Sequence, residues 1–160
     1  MDFLPPEFDH VPYGSIEVAQ CAPKVEDRRF RGIVIRVPDQ VRLLEEETVK
    51  LPICGFYQLP TFPLIQGATM HVHVRGVAGT PVPPVNGQVV VMDGANEPDD
   101  PPPPMPPPDP RRYAHKVSEA YFYLDGQRYL PLELPAGTYE VCVSYGEARS
   151  NIARFTVLRR

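Results

Sequence analysis

Two histidines one residue apart, His71 and His73, are the most chemically suggestive pair in the chain. On a β-strand, residues i and i+2 project from the same face, so both imidazoles can reach one zinc or copper ion. Such a site needs at least a third ligand, and none is adjacent; His10, His115, a cysteine or a carboxylate would have to arrive through folding. Exposed strand histidines with no metal role fit the same spacing. Nucleophilic chemistry has less behind it, since the chain contains no G-x-S-x-G elbow, Gly-rich phosphate loop or C-x-x-C pair. Cys54, followed by Gly55, is a conceivable partner for a histidine, but nothing local favours it. The carboxylates are scattered, with no pair set apart as acid and base. The chain therefore reads as a non-enzyme, and no cofactor is implied.

Surface chemistry remains. Tyr113, Tyr121, Tyr123, Tyr129 and Tyr145 fall in the C-terminal half, and Phe3 and Phe8 stand in an apolar N-terminal stretch. Aromatic residues are enriched at protein interfaces, and also in strands. Tyr113, Tyr121, Tyr123, Phe3 and Phe8 are accordingly the candidate binding residues.

The elements that must carry these groups read as strands. Met70, Val72 and Val74 alternate with His71, His73 and Arg75, which predicts a strand over 68–75 with the histidines facing out. Ile33, Ile35 and Val37 share a face over 32–37, and short strands follow at 40–44, 48–53 and 88–92. Residues 118–124 carry Ala120, Phe122 and Leu124 on one side and Tyr121 and Tyr123 on the other, so that strand is central or covered. The segment 130–157 predicts three more strands, with Leu130, Leu132 and Leu134 in one, Tyr139, Val141, Val143 and Tyr145 in the next, and 152–158 as the last. Asn86-Gly87 and Asp125-Gly126 read as hairpin turns. The run 56–65, with Pro60 and Pro63, reads as an apolar loop covering an edge, and Pro52 points to an edge strand or a bulge.

Composition agrees with an all-β chain. There are 22 prolines in 160 residues, far above the usual share of about 5%. Nine lie between Pro98 and Pro110, which makes 95–112 a polyproline-rich loop inserted into a single domain at 30–160. Residues 1–29 have no sustained period and read as an extended arm, laid over its own domain or docked on a neighbouring subunit. A net charge of −4 gives no nucleic-acid footprint. No apolar run approaches the ~20 residues of a membrane-spanning helix, and the start lacks a signal-peptide core. A cytoplasmic chain follows, or one carried in a virion or assembled particle.

The corner Leu134-Pro135-Ala136-Gly137-Thr138-Tyr139-Glu140-Val141 resembles the one before the penultimate strand of immunoglobulin-like and fibronectin type III domains. In those domains a tyrosine hydroxyl bonds back to upstream backbone. Residues 150–157 look like the last strand of bacterial immunoglobulin-like modules. The resemblance implies an antiparallel immunoglobulin-like β-sandwich of seven to nine strands, with Tyr139 as its corner. It implies no single function, since such sandwiches serve adhesion, assembly and ligand binding. The inter-sheet disulfide of immunoglobulin domains would need a cysteine where Val141 stands. Cys142 falls on the opposite face and Cys54 breaks the parity of its neighbours, so all three cysteines read as reduced. Three functions are compatible with these residues. The first is a protein-binding structural or accessory subunit, acting on a protein partner or on copies of itself. The second is a ligand-binding or adhesive module of carbohydrate type, and the third a metal-binding protein centred on His71 and His73.

Overall fold

The structure, a computed structural model, describes residues 8, 21–43, 48–65, 67–77, 79–89 and 110–159. Phe3, residues 9–20 of the arm, the end of the strand expected at 88–92 and the proline-rich loop up to 109 lie outside the described residues. Nine strands are found among those described. A three-stranded antiparallel sheet takes β1 (Gly32–Arg36), β3 (Pro52–Pro60) and β6 (Val117–Asp125), in the order β1-β3-β6. A larger sheet runs β2-β9-β7-β4-β5, formed by β2 (Gln40–Leu43), β4 (Met70–Val77), β5 (Val85–Gln88), β7 (Gly137–Tyr145) and β9 (Ala153–Arg159). The short β8 (Ala148–Arg149) pairs with β7 beside them. Among the described residues helix is confined to short turns, including α1 (Thr61–Ile65) and α2 (Pro110–Tyr113); α2 occupies the end of the stretch expected as loop.

The alternating residues do what their parity predicts. Ile33 and Ile35 of β1, Val72 and Val74 of β4, Tyr139, Val141 and Val143 of β7 and Phe155 and Val157 of β9 are all buried in one core cluster to which both sheets contribute. The rings of Tyr139 and Phe155 stack at 5.4 Å in its interior.

Four expectations are corrected. The sheets are not wholly antiparallel, because β2 runs parallel to β9, with Gln40 opposite Thr156 and Leu43 opposite Arg159. The chain leaves β1 through the buried Pro38 and crosses to the other sheet, and the Asp39 carbonyl accepts from the Thr156 amide at 2.9 Å. Residues 52–60 are the central strand β3, where an edge strand and then a loop were expected. Pro52 and Pro60 sit at its two ends, where a missing N–H costs least. Val49 and Leu51 lie just before it, their amides held by the carboxylates of Glu133 (3.1 Å) and Asp125 (2.9 Å) instead of by a strand.

Neither predicted hairpin forms. Gly87 lies inside β5, where any Cβ would overlap the Tyr129 carbonyl. The Asp125 carboxylate accepts from the Gln127 amide at 3.1 Å and starts a 3-10 turn, Gly126–Tyr129, an alternative that Asp side chains offer the backbone. Residues 130–134 are not a strand, because the Gln127 side chain takes over their hydrogen bonding. Its Nε2 donates to the Leu132 carbonyl (2.7 Å) and its Oε1 accepts from the Leu134 amide (3.0 Å).

Candidate functional site

The histidines do project from the outer face of the large sheet, and strand register sets their company. His73 stands opposite Asn86 of β5 and Cys142 of β7; His71 stands opposite Gln88 and Ser144. Arg75 stands opposite Glu140, and Glu140 opposite Arg154 of β9. The result is three rows of polar side chains across four strands. The imidazoles stack with centroids 6.1 Å apart, and His73 Nε2 lies 2.8 Å from the Ser144 hydroxyl. Partial burial, then Arg149 and then His71, hold the His73 imidazole below its ordinary pKa and favour the neutral ring. Among the described residues no three His, Cys, Asp or Glu side chains come together to hold an ion, so the pair finds no third ligand there. His115 is exposed beyond α2, and His10 lies outside the described residues.

A depression of about 240 Å³ opens on this face, lined by His73, Cys142 and Asn86 and by the apolar residues Pro84, Val85 and Ile152. Arg75, Glu140 and Arg149 border it. Both Glu140 oxygens are used: Arg75 Nε donates to one at 2.8 Å, and Arg154 to the other at 3.1 Å. Those two guanidiniums, Arg75 first, hold the Glu140 carboxyl below the usual carboxylate range. Cys142 is a free thiol.

The outer face of the small sheet is different in kind. There Cys54 is joined to Cys21 in a disulfide, contrary to the expectation that all three cysteines are reduced. Cys21 comes from the arm, a segment without periodicity, and the fold brings it onto the first part of β3. The inference of a reducing compartment from three free thiols thereby loses its basis. Phe8, Cys21, Cys54 and Tyr123 form a second buried cluster, and the Tyr123 hydroxyl donates to the Phe8 carbonyl. Gln58 Nε2 donates to the Arg28 carbonyl (2.7 Å), and the Arg36 guanidinium to that of Cys21 (3.2 Å). At Phe8 and 21–28, then, the arm packs on its own domain.

Of the aromatic candidates, Phe8 and Tyr123 are buried in that contact, and their polar and apolar surfaces are used within the chain. Tyr113 lies in α2. Tyr121 is 43% exposed, with its ring 4.8 Å from that of Phe56. A depression of about 350 Å³ opens beside these two rings, bounded by Val25–Arg28 of the arm, Gln58 and Glu119. Tyr139 closes the corner: its hydroxyl donates to the Pro135 carbonyl at 2.6 Å.

The two edges of the small sheet are not equivalent. The free side of β1 is taken by the Asn151 side chain, which bonds both backbone groups of Ile35. The nine-residue β6 pairs with β3 over its whole length and has no second strand among the described residues. Sequence alternation locates the aromatic stripe on β6 but carries no sign of which edge stays open. Among the described residues no helix is long and apolar enough to cross a membrane. No protein-family model, no curated protein and no solved structure matches this chain.

Proposed function

We propose that this chain is a non-enzymatic protein-binding module, a structural or accessory subunit of a larger assembly built on an immunoglobulin-like sandwich. The observation that carries the reading is β6. It offers nine residues of edge without a second strand among those described, with Tyr121 and Val117 exposed along it. An unpaired edge is a template for an added strand, whose side chains would meet Tyr121 and the depression beside it. The sandwich assignment draws on the Tyr139–Pro135 corner and the core shared by the two sheets.

Native mass spectrometry of the wild type and of a Tyr121→Lys variant tests this. A self-associating or partner-bound species that Tyr121→Lys abolishes, with the β-sheet circular dichroism unchanged, supports the reading. Loss of no species, or an assembly indifferent to residue 121 and to a proline placed at Glu119, sinks the β6 version.

The depression over His73 and Cys142 favours a second reading, a ligand-binding module that uses the opposite face of the molecule.

A further inference from the structure

The second reading leaves the ligand's chemistry open, and the charge on the histidine face narrows it. The chain as a whole carries −4, yet the polar rows around the depression hold Arg75, Arg149 and Arg154 against the single carboxylate Glu140. Glu140 is already bonded by two of those guanidiniums. Arg149, exposed on β8 and bordering the depression, has no carboxylate partner among the described residues. The lining also includes the apolar residues Pro84, Val85 and Ile152, and Ile152, on the same flank as Arg149, is 63% exposed.

We propose that this depression binds a small organic carboxylate with a short apolar tail. The guanidinium fork of Arg149 takes the carboxylate, a geometry it matches in two parallel hydrogen bonds. Ile152, three residues from Arg149 and also in the lining, gives the short tail an apolar wall on the same flank of the sheet, and Asn86 lines the depression from β5. At about 240 Å³ the space is below the ~300 Å³ at which pockets for drug-sized ligands begin, so the ligand is small. His73 lies at the same wall and faces His71 and Arg75 on its own strand, Asn86 on β5, Glu140, Cys142 and Ser144 on β7, and Arg149 on β8. A bound carboxylate offsets the positive field there, so it raises the His73 pKa and binds more tightly as pH falls.

The inference rests on the second reading above, and the two can fail separately. The test is a backbone and histidine NMR titration of the full chain with butyrate, its uncharged counterpart butanamide, and glucose as a neutral sugar. Butyrate should shift the resonances of His73, Asn86, Cys142 and Ile152 while butanamide leaves them in place. Arg149→Gln should weaken butyrate roughly fivefold, the scale of one exposed guanidinium–carboxylate pair, with the Tyr139 and Phe155 resonances unmoved; Arg149→Lys should fall between. The His73 pKa should rise on saturation. Equal response to butanamide, or unchanged affinity in Arg149→Gln, overturns the carboxylate assignment. Shifts from glucose alone overturn it too but leave a ligand-binding module standing, whereas silence from all three probes removes both.

Discussion

Asn151 acts as a strand for Ile35. Its Oδ1 accepts from the Ile35 amide at 2.8 Å and its Nδ2 donates to the Ile35 carbonyl at 3.2 Å, the two bonds a neighbouring chain would otherwise make. Its neighbour Ser150 does the same for the other sheet, the hydroxyl accepting from the Val143 amide at 2.8 Å. Two consecutive side chains thus pin β1 of the small sheet to β7 of the large one. Removing the amide by Asn151→Ala should cost about 1–3 kcal/mol, two neutral hydrogen bonds with partly buried partners. Urea unfolding should show a lower midpoint at unchanged slope, and light scattering should reveal new association through the uncovered β1 edge. An unaltered midpoint would mean that water replaces the amide without loss.

The Tyr139 corner allows a cleaner subtraction. Tyr139→Phe keeps the ring stacked on Phe155 and removes only the hydroxyl bonded to the Pro135 carbonyl. A loss of about 0.5–1.5 kcal/mol is expected, read from the same unfolding curves. A loss much larger than that would show that the ring had moved.

The disulfide joins residues 33 apart in sequence, so Cys21→Ser should destabilise by about 3–4 kcal/mol on the loop-entropy estimate. Mass spectrometry after alkylation of the denatured, unreduced chain should find one labelled thiol, Cys142; three labelled thiols would refute the bond. Because the bond fixes Cys21 to β3, trypsin should cut at Lys24 and Arg28 faster in Cys21→Ser than in the wild type.

Four titrating side chains should shape stability in acid, in two ranges of pH. The folded state holds His73 below its ordinary 6.5, chiefly by burial, so the unfolded chain takes up that proton first. The penalty is absent well above pH 6.5, grows as pH falls through 6.5 and is complete below the folded value. Glu140, depressed by Arg75 and Arg154, and Glu133, depressed by the Val49 amide and Arg159, contribute stability present above their ordinary 4.5 and lost as pH falls through their lower folded values, while Asp125, raised by burial, works the other way. Stability followed from pH 8 to 3 should therefore fall in two stages, and His73→Asn should remove the upper one alone. A single stage in the wild type would contradict this.

Much of the architecture is legible in the chain because most strands have one wet face. β1, β4, β7 and β9 alternate, and apart from Ser144 of β7 their buried residues are those the parity selects. β3 escapes the same reasoning because both its faces are covered: Ile53 and Leu59 by the core, Cys54 by the arm. With Gln58 as its one amide side chain among apolar and aromatic residues, and prolines at its ends, it reads as two fragments. Turn chemistry misleads where a side chain finds a better use, as Asp125 does in starting a 3-10 turn and Gly87 does in letting Tyr129 approach. The candidate sites were half visible. The His71 and His73 face follows from spacing, whereas the pairing of His73 with Cys142 and Asn86 depends on register, which no local pattern encodes.

The position of β9 has a consequence for how the molecule is made. It lies between β2 and β7, the one strand through which the early part of the chain joins the large sheet. On the ribosome β2 emerges long before the strand it pairs with, and it must wait with Val41 and Leu43 unsheltered. The small sheet has all three of its strands once Asp125 has been added; the large one has no place for β2 until β9 is out. Vectorial synthesis therefore yields a half-built β fold, and its completion is a late event that depends on the last strand described.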